Sequence, residues 1–266
     1  MSNTILISRD AANPAIATLT FNRPEVFNAM SAELIHAFRE AALQLRDDAT
    51  VRCLILRGAG KAFLAGGDVT MFHRRKDDPT LADEVIPLGD AMHEGIIALR
   101  EAPFPVIAQI QGAVAGAGLS IALSCDFAIC SEAATFSSAY TRIGLSPDGG
   151  STFFLPRLVG VKVAAELIML SETLSATRAR EIGIVNRVVA ADQLEAEVAT
   201  LATKLAAGPT QAFAQTKRLL NQTFETPMRA HLDDEIRRFA ACAATEDFKE
   251  GVTAFVEKRK PVFKGR

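Results

Sequence analysis

Apolar and polar positions alternate with one rhythm in the first half of this chain and another in the second. Short β-branched runs at residues 4–8, 15–21 and 52–57 ("RCLILR") predict strands. Between the last two, Ser31 can cap a helix whose apolar residues Leu34, Ile35, Phe38, Ala42 and Leu45 recur at helical spacing. The loop "GAGKAFLAGGD" (58–68) follows the third strand, and a second helical pattern covers about 81–99. Pro103 and Pro105 lead into the strand "VIAQI". A glycine turn, a short helix and the strand "DFAIC" come next. Strands alternating with helices in this way predict an α/β domain.

After Gly150 helical spacing dominates. It predicts helices over 161–170, 176–182, 194–206, 211–221 and 228–244, with one strand-like piece, "IVNRVV". Gly208-Pro209 reads as a helix stop and restart. The resulting division is a core over 1–200 and a helical region over 201–266. Residues 102–125 carry no charge and are long enough to span a bilayer. Their prolines, glutamines and glycines favour a buried strand leading to a buried helix instead.

Composition narrows the class. The 266 residues are 49% apolar, enough for a sizeable core, and the net charge of -2 gives no global support to a nucleic-acid or anionic-membrane partner. Cys53, Cys125, Cys130 and Cys242 form no CxxC pair and have no histidines at metal spacing, so reduced, buried thiols are expected and no metal. "MSNTILISRD" has no basic start followed by a long apolar run, so a signal peptide is not expected and a cytoplasmic protein is.

Two glycine loops follow strands, at 58–68 and 112–118. Neither fits a Walker phosphate loop or a dinucleotide fingerprint. One functional use remains. Main-chain N–H groups from Ala65-Gly66-Gly67-Asp68, and from the first helical turn after Gly116, can converge on one oxygen as an oxyanion hole, helped by the helix dipole. The other reading is that these glycines only permit tight turns.

"NRPEVFNAM" (22–30), "GAGKAFLAGGD" (58–68), "PVIAQIQGAVAGAGLSIALSCDFAIC" (105–130), "FSSAYTRIGLSPDGGSTFFLPRLVG" (136–160) and "EGVTAFVEKRKPVFKG" (250–265) together resemble the enoyl-CoA hydratase/isomerase family of the crotonase superfamily. The resemblance runs in order along nearly the whole chain. It implies a crotonase-like spiral of β-β-α units with a C-terminal helical trimerisation region, and a homotrimer or dimer of trimers. It implies an acyl-CoA thioester substrate, with CoA arriving as part of that substrate and no separate cofactor. The oxyanion donors are then the N–H groups of Gly67 and Ala117. Val26, Phe27, Ala65, Gly66 and Asp68 match the CoA-contacting positions, and the tail around 258–264 resembles a part that can reach a neighbour's site.

The chain departs from the hydratase pattern at two places. Where typical hydratases carry two glutamates it has Ser120 and Tyr140. Asp148, in "GLSPDGG", stands nearby, in a segment resembling ring-epoxide phenylacetyl-CoA isomerases and enoyl-CoA isomerases. One carboxylate can take a proton and return it elsewhere, as double-bond migration requires, and an apolar pocket is expected to raise its pKa toward a useful range. Asp148 as a mere turn or helix-cap residue is the plainer reading. Asp148, Tyr140 and His93 together also match a dehalogenase of the superfamily, in which the aspartate is a nucleophile and the aromatic is Trp; this chain has no Trp. Ser120, Tyr140 and His93 are accordingly expected to shape the acyl pocket. An altered hydratase and a non-catalytic acyl-CoA binder stay open. The basic run at 73–76 could meet CoA phosphates, but with Asp77 and Asp78 following at once it reads as a solvated helix end or loop.

Overall fold

The computed structural model describes residues 3–266. The chain opens with the antiparallel strands β1 (Ile5–Arg9) and β2 (Ile16–Phe21), then a 3-10 turn at Pro24–Val26 and helix α1 (Ala32–Asp47). Strand β3 (Cys53–Gly58), helices α2 (Val69–Arg75) and α3 (Leu81–Glu101) and strand β4 (Val106–Ile110) follow. Next come β5 (Ala113–Ala115), α4 (Ala117–Ser124), β6 (Phe127–Ser131), β7 (Thr135–Ser137) and a 3-10 turn at Tyr140–Ile143. The remainder is α5 (Ser151–Val159), α6 (Val161–Met169), β8 (Leu174–Ser175), α7 (Ala176–Glu181), β9 (Arg187–Val189), α8 (Leu194–Ala206), α9 (Thr210–Gln222), α10 (Met228–Ala243) and α11 (Glu246–Val256).

Six strands form one sheet in the order β1-β2-β3-β4-β6-β9, parallel except for the β1–β2 pair, and β5-β7-β8 form a second. The pleat explains how the large sheet is buried on both faces, since successive side chains point to opposite sides. In β3, Leu54 and Leu56 face one apolar layer while Cys53 and Ile55 face the other. The first layer takes α1, α3 and α4; the second is closed by Leu194, Val198, Ala202 and Leu205 of α8. The division expected at residue 200 therefore falls inside one helix, between Val198 and Ala202, which pack in the same layer.

The long elements lie where periodicity places them. Ser31 caps α1, its Oγ accepting from Leu34 N–H at 3.2 Å, a contribution of about 1 kcal/mol. Residues 102–125 become β4, β5 and the fully buried α4, and no helix among the described residues is long and apolar enough to cross a membrane. Strands β5, β7 and β8, and helices α2 and α11, were not anticipated. A strand of two or three residues shows no period at all.

Helix α9 is held to the core by a buried cation. Lys217 Nζ donates to the carbonyls of Leu99 (2.7 Å) and Phe104 (3.2 Å) and pairs with Asp126 at 2.7 Å. Burial pushes the Lys217 ammonium below its ordinary pKa, against the pull of Asp126. Asp126 in turn accepts from Val106 N–H at 2.9 Å, at the start of β4.

Candidate active site

The 58–68 loop is fastened from three sides. Phe63 is fully buried, its ring edge-on to Phe21 with centroids 5.9 Å apart. The amide nitrogen of the buried Asn28 lies 2.9–3.1 Å from the carbonyls of Ala59, Ala62 and Phe63. Gln111 Nε2 reaches the carbonyls of Gly58 (2.8 Å) and Ala62 (2.7 Å). Beyond it, Ala65 N–H donates to Phe27 O at 3.0 Å, Met30 N–H to Gly66 O at 2.8 Å and Asp68 N–H to Met30 O at 3.1 Å. Val26, Phe27, Ala65, Gly66, Gly67 and Asp68 are thus brought together, with Val26 and Phe27 exposed.

The 112–118 turn approaches that loop so closely that side chains cannot be fitted between them. A Cβ on Gly118 would stand 2.0 Å from Leu64 O. Gly116 has φ 50 and ψ -123, a conformation costly for any residue with a Cβ. Its missing Cβ would lie 3.4 Å from Gly66 Cα, so the two glycine bends abut. The flanking amides are occupied: Ala115 N–H by Leu64 O, Gly116 N–H by Ser137 O. Among the described residues, the N–H groups of Gly66 and Gly67 on one bend, and of Ala117 and Gly118 at the start of α4, have no acceptor. Unpaired main-chain donors at a helix N-terminus form an anion-attracting position that needs no charged side chain.

A third group adjoins these bends. Tyr140 lies beside Gly116, its Cζ 3.8 Å from where a Cβ would stand. Its hydroxyl donates to Asp148 Oδ1 at 2.5 Å. Burial first, and then the carboxylate beside it, push the Tyr140 phenol above its ordinary pKa. Ser120, fully buried, donates through Oγ to Asp148 O at 2.9 Å and lies 3.4 Å from the tyrosine oxygen. His93 Nε2 accepts from Gly149 N–H at 3.3 Å. The structure therefore gathers Asp148, Tyr140, Ser120 and His93, which are up to 55 residues apart in sequence, around one turn.

The expectations for Asp148 and for the cysteines need correction. Asp148 does not sit in an apolar pocket. It is exposed in the single chain, because the 141–148 loop runs over the surface. Nor does it cap a helix: Gly150 is the N-cap of α5, and the Asp148 side chain turns to Tyr140 instead. A cleft of about 1000 Å³ between α3, α5 and α9 meets this site at His93 and Gly149. Asp68 is committed to α2, its carboxylate accepting from Met71 N–H at 3.3 Å and facing Arg23 at 3.7 Å. The tail folds on its own chain: Asp247 accepts from Lys264 N–H (2.6 Å) and Gly265 N–H (2.8 Å). Of the four free thiols only Cys53 and Cys130 are buried, with Cys53 pushed up to about 12 by burial. In the 73–76 run, Arg75 pairs with Asp78 and Glu84, and Lys76 with Asp77.

Asn28 and Gln111 were not singled out as site-supporting residues. The available signal was a polar side chain set within or beside an apolar run, as in "VIAQIQG"; their partners lie tens of residues away.

The site thus consists of two abutting glycine bends with free amides and a lone carboxylate held beside them, in front of a sheet buried on both faces. The family profile described as "Enoyl-CoA hydratase/isomerase" matches residues 11–266, and the chain belongs to that family. It is 35% identical over 254 residues to a trans-2-decenoyl-[acyl-carrier-protein] isomerase of Streptococcus mutans, covering 94% of this chain and 95% of that one. It is 36% identical to a 1,2-epoxyphenylacetyl-CoA isomerase of Escherichia coli, with the same coverage. A solved enoyl-CoA hydratase from Polaromonas superposes with a TM-score of 0.91 at 32% identity, over 98% of this chain and 99% of that one. The crotonase fold expected from the motifs is the fold observed.

Proposed function

We propose that this protein moves the double bond of an enoyl-CoA thioester, with Asp148 as the acid–base. The thioester oxygen takes the N–H groups of Gly67 and Ala117. Asp148 removes a proton from a carbon activated by that carbonyl, the electron pair is delocalised onto the held oxygen as an enolate, and the same proton returns at the other end of the allylic system. Each oxyanion donor lowers the barrier by about 3 kcal/mol in comparable sites. The observation that carries the reading is the Tyr140–Asp148 pair beside the glycine bends. It offers one carboxylate, while Ser120 and Tyr140 leave hydration without a second acid–base group. Relatives named as hydratases make an altered hydratase the alternative. A hydrolase or dehalogenase with Asp148 as nucleophile is a further alternative, which incorporation of heavy oxygen from water into Asp148 during a single turnover would identify. We place the enzyme in a homotrimer, a reading supported by the resemblance and by the apolar faces left exposed on α10 and α11.

Asp148→Asn tests the reading. Turnover should fall at least about 1000-fold while affinity for the CoA ester holds within a few-fold. On a panel of enoyl-CoA esters, migration leaves the product mass unchanged, whereas addition of one water would identify a hydratase.

A further inference from the structure

We propose that Tyr140 is the positioning residue for the Asp148 carboxylate, leaving Asp148 Oδ2 as the oxygen that carries the proton. The inference rests on the reading of Asp148 as the acid–base and goes further, to what makes an exposed aspartate competent. An aspartate on a surface loop samples several rotamers, and proton transfer needs the acceptor within about 2.6–3.2 Å of the carbon-bound hydrogen's carrier. Enclosure cannot supply that order here, because Asp148 is exposed. Hydrogen bonds from three elements supply it instead.

Tyr140 Oη donates to Asp148 Oδ1 at 2.5 Å and so fixes the side chain. Ser120 of α4 fixes the Asp148 carbonyl at 2.9 Å, and His93 of α3 fixes the following amide at 3.3 Å. The tyrosine is itself held. Its 3-10 turn is bounded by left-handed residues, Ala139 (φ 61) and Gly144 (φ 76). For Ala139 that conformation costs on the order of 1 kcal/mol, strain the surrounding loop must sustain. Tyr140 N–H donates to Ser138 O at 2.8 Å, and Tyr140 O accepts from Leu145 N–H at 3.1 Å. With its phenol pushed above the ordinary range, Tyr140 stays a protonated donor at working pH. Oδ1 is thereby occupied and Oδ2 is the free base.

The test compares wild type, Tyr140→Phe and Asp148→Asn on one migrating enoyl-CoA ester. Active sites are counted by calorimetric titration with the CoA ester, so that any misfolded fraction is removed from kcat. The phenylalanine ring keeps the packing and deletes only the donor. Expected for Tyr140→Phe is a 10–100-fold fall in kcat per binding site with KM within about threefold, the size of effect that misplacing a reacting group produces. A merely structural tyrosine would change the number of sites or KM and leave kcat per site alone. If Asp148→Asn is inactive but Tyr140→Phe keeps kcat within twofold, the positioning role is overturned and the acid–base assignment survives. If Asp148→Asn still migrates the double bond at the wild-type rate, both fall.

Discussion

Gly118 shows how a single missing Cβ can set the site. Its backbone passes so close to Leu64 that an added methyl would meet the carbonyl at 2.0 Å, and neither the loop nor α4 has a flexible side chain to give way there. Gly118→Ala is expected to cost about 1–3 kcal/mol in denaturant unfolding, the range for forced overpacking. Because the same shift displaces the first turn of α4, activity should fall more than 100-fold even where the variant is fully folded. An alanine variant with wild-type kcat would mean that the close approach serves packing alone. At this scale the glycines were legible because close approach has a composition. Asn28 was not legible, since a buried amide is recognised only by its partners, and those stand 31 to 35 residues further along.

Among the elements, the C-terminal tail is fastened in part by a half-buried carboxylate. Glu250 on α11 pairs with Arg259 and accepts from Val262 N–H at 2.8 Å. Arg259 first, and Val262 N–H second, hold its pKa at about 2, below the ordinary 4.5. A carboxyl lowered on folding stabilises fully above its unfolded pKa, and that support is lost as pH falls from 4.5 through about 2. Hydrogen-exchange protection of the Val262 amide should therefore decline across that window. Glu250→Gln should lose it at neutral pH. Protection that persists in the variant would show that the tail is held elsewhere, through Asp247. Helices α8, α9 and α10 were readable from their spacing, whereas α11 was not. The short strands β5, β7 and β8 were not, because their hydrogen-bond partners, not their residues, make them strands.

The whole molecule leaves large apolar side chains in water. On α10, Met228 is 78% exposed and Phe239 66%, and on α11 Phe255 is 85% exposed. Exposed apolar faces are what the proposed assembly would cover, and closed symmetry is the usual way to do so. Light scattering should return three times 28.5 kDa, and Phe239→Asp should shift that mass toward one chain. A monodisperse monomer of the native protein would sink the assembly proposed above. The sequence by itself determined the family, the long elements and the small-residue bends, because periodicity, turn chemistry and close approach are local demands that leave their mark in residue order. Only the tertiary structure decided that the two bends abut, that Asp148 is held rather than enclosed, and that Lys217 fastens α9. Those outcomes depend on distances between residues far apart in the chain, which burial and hydrogen bonding settle after folding and which no local pattern encodes.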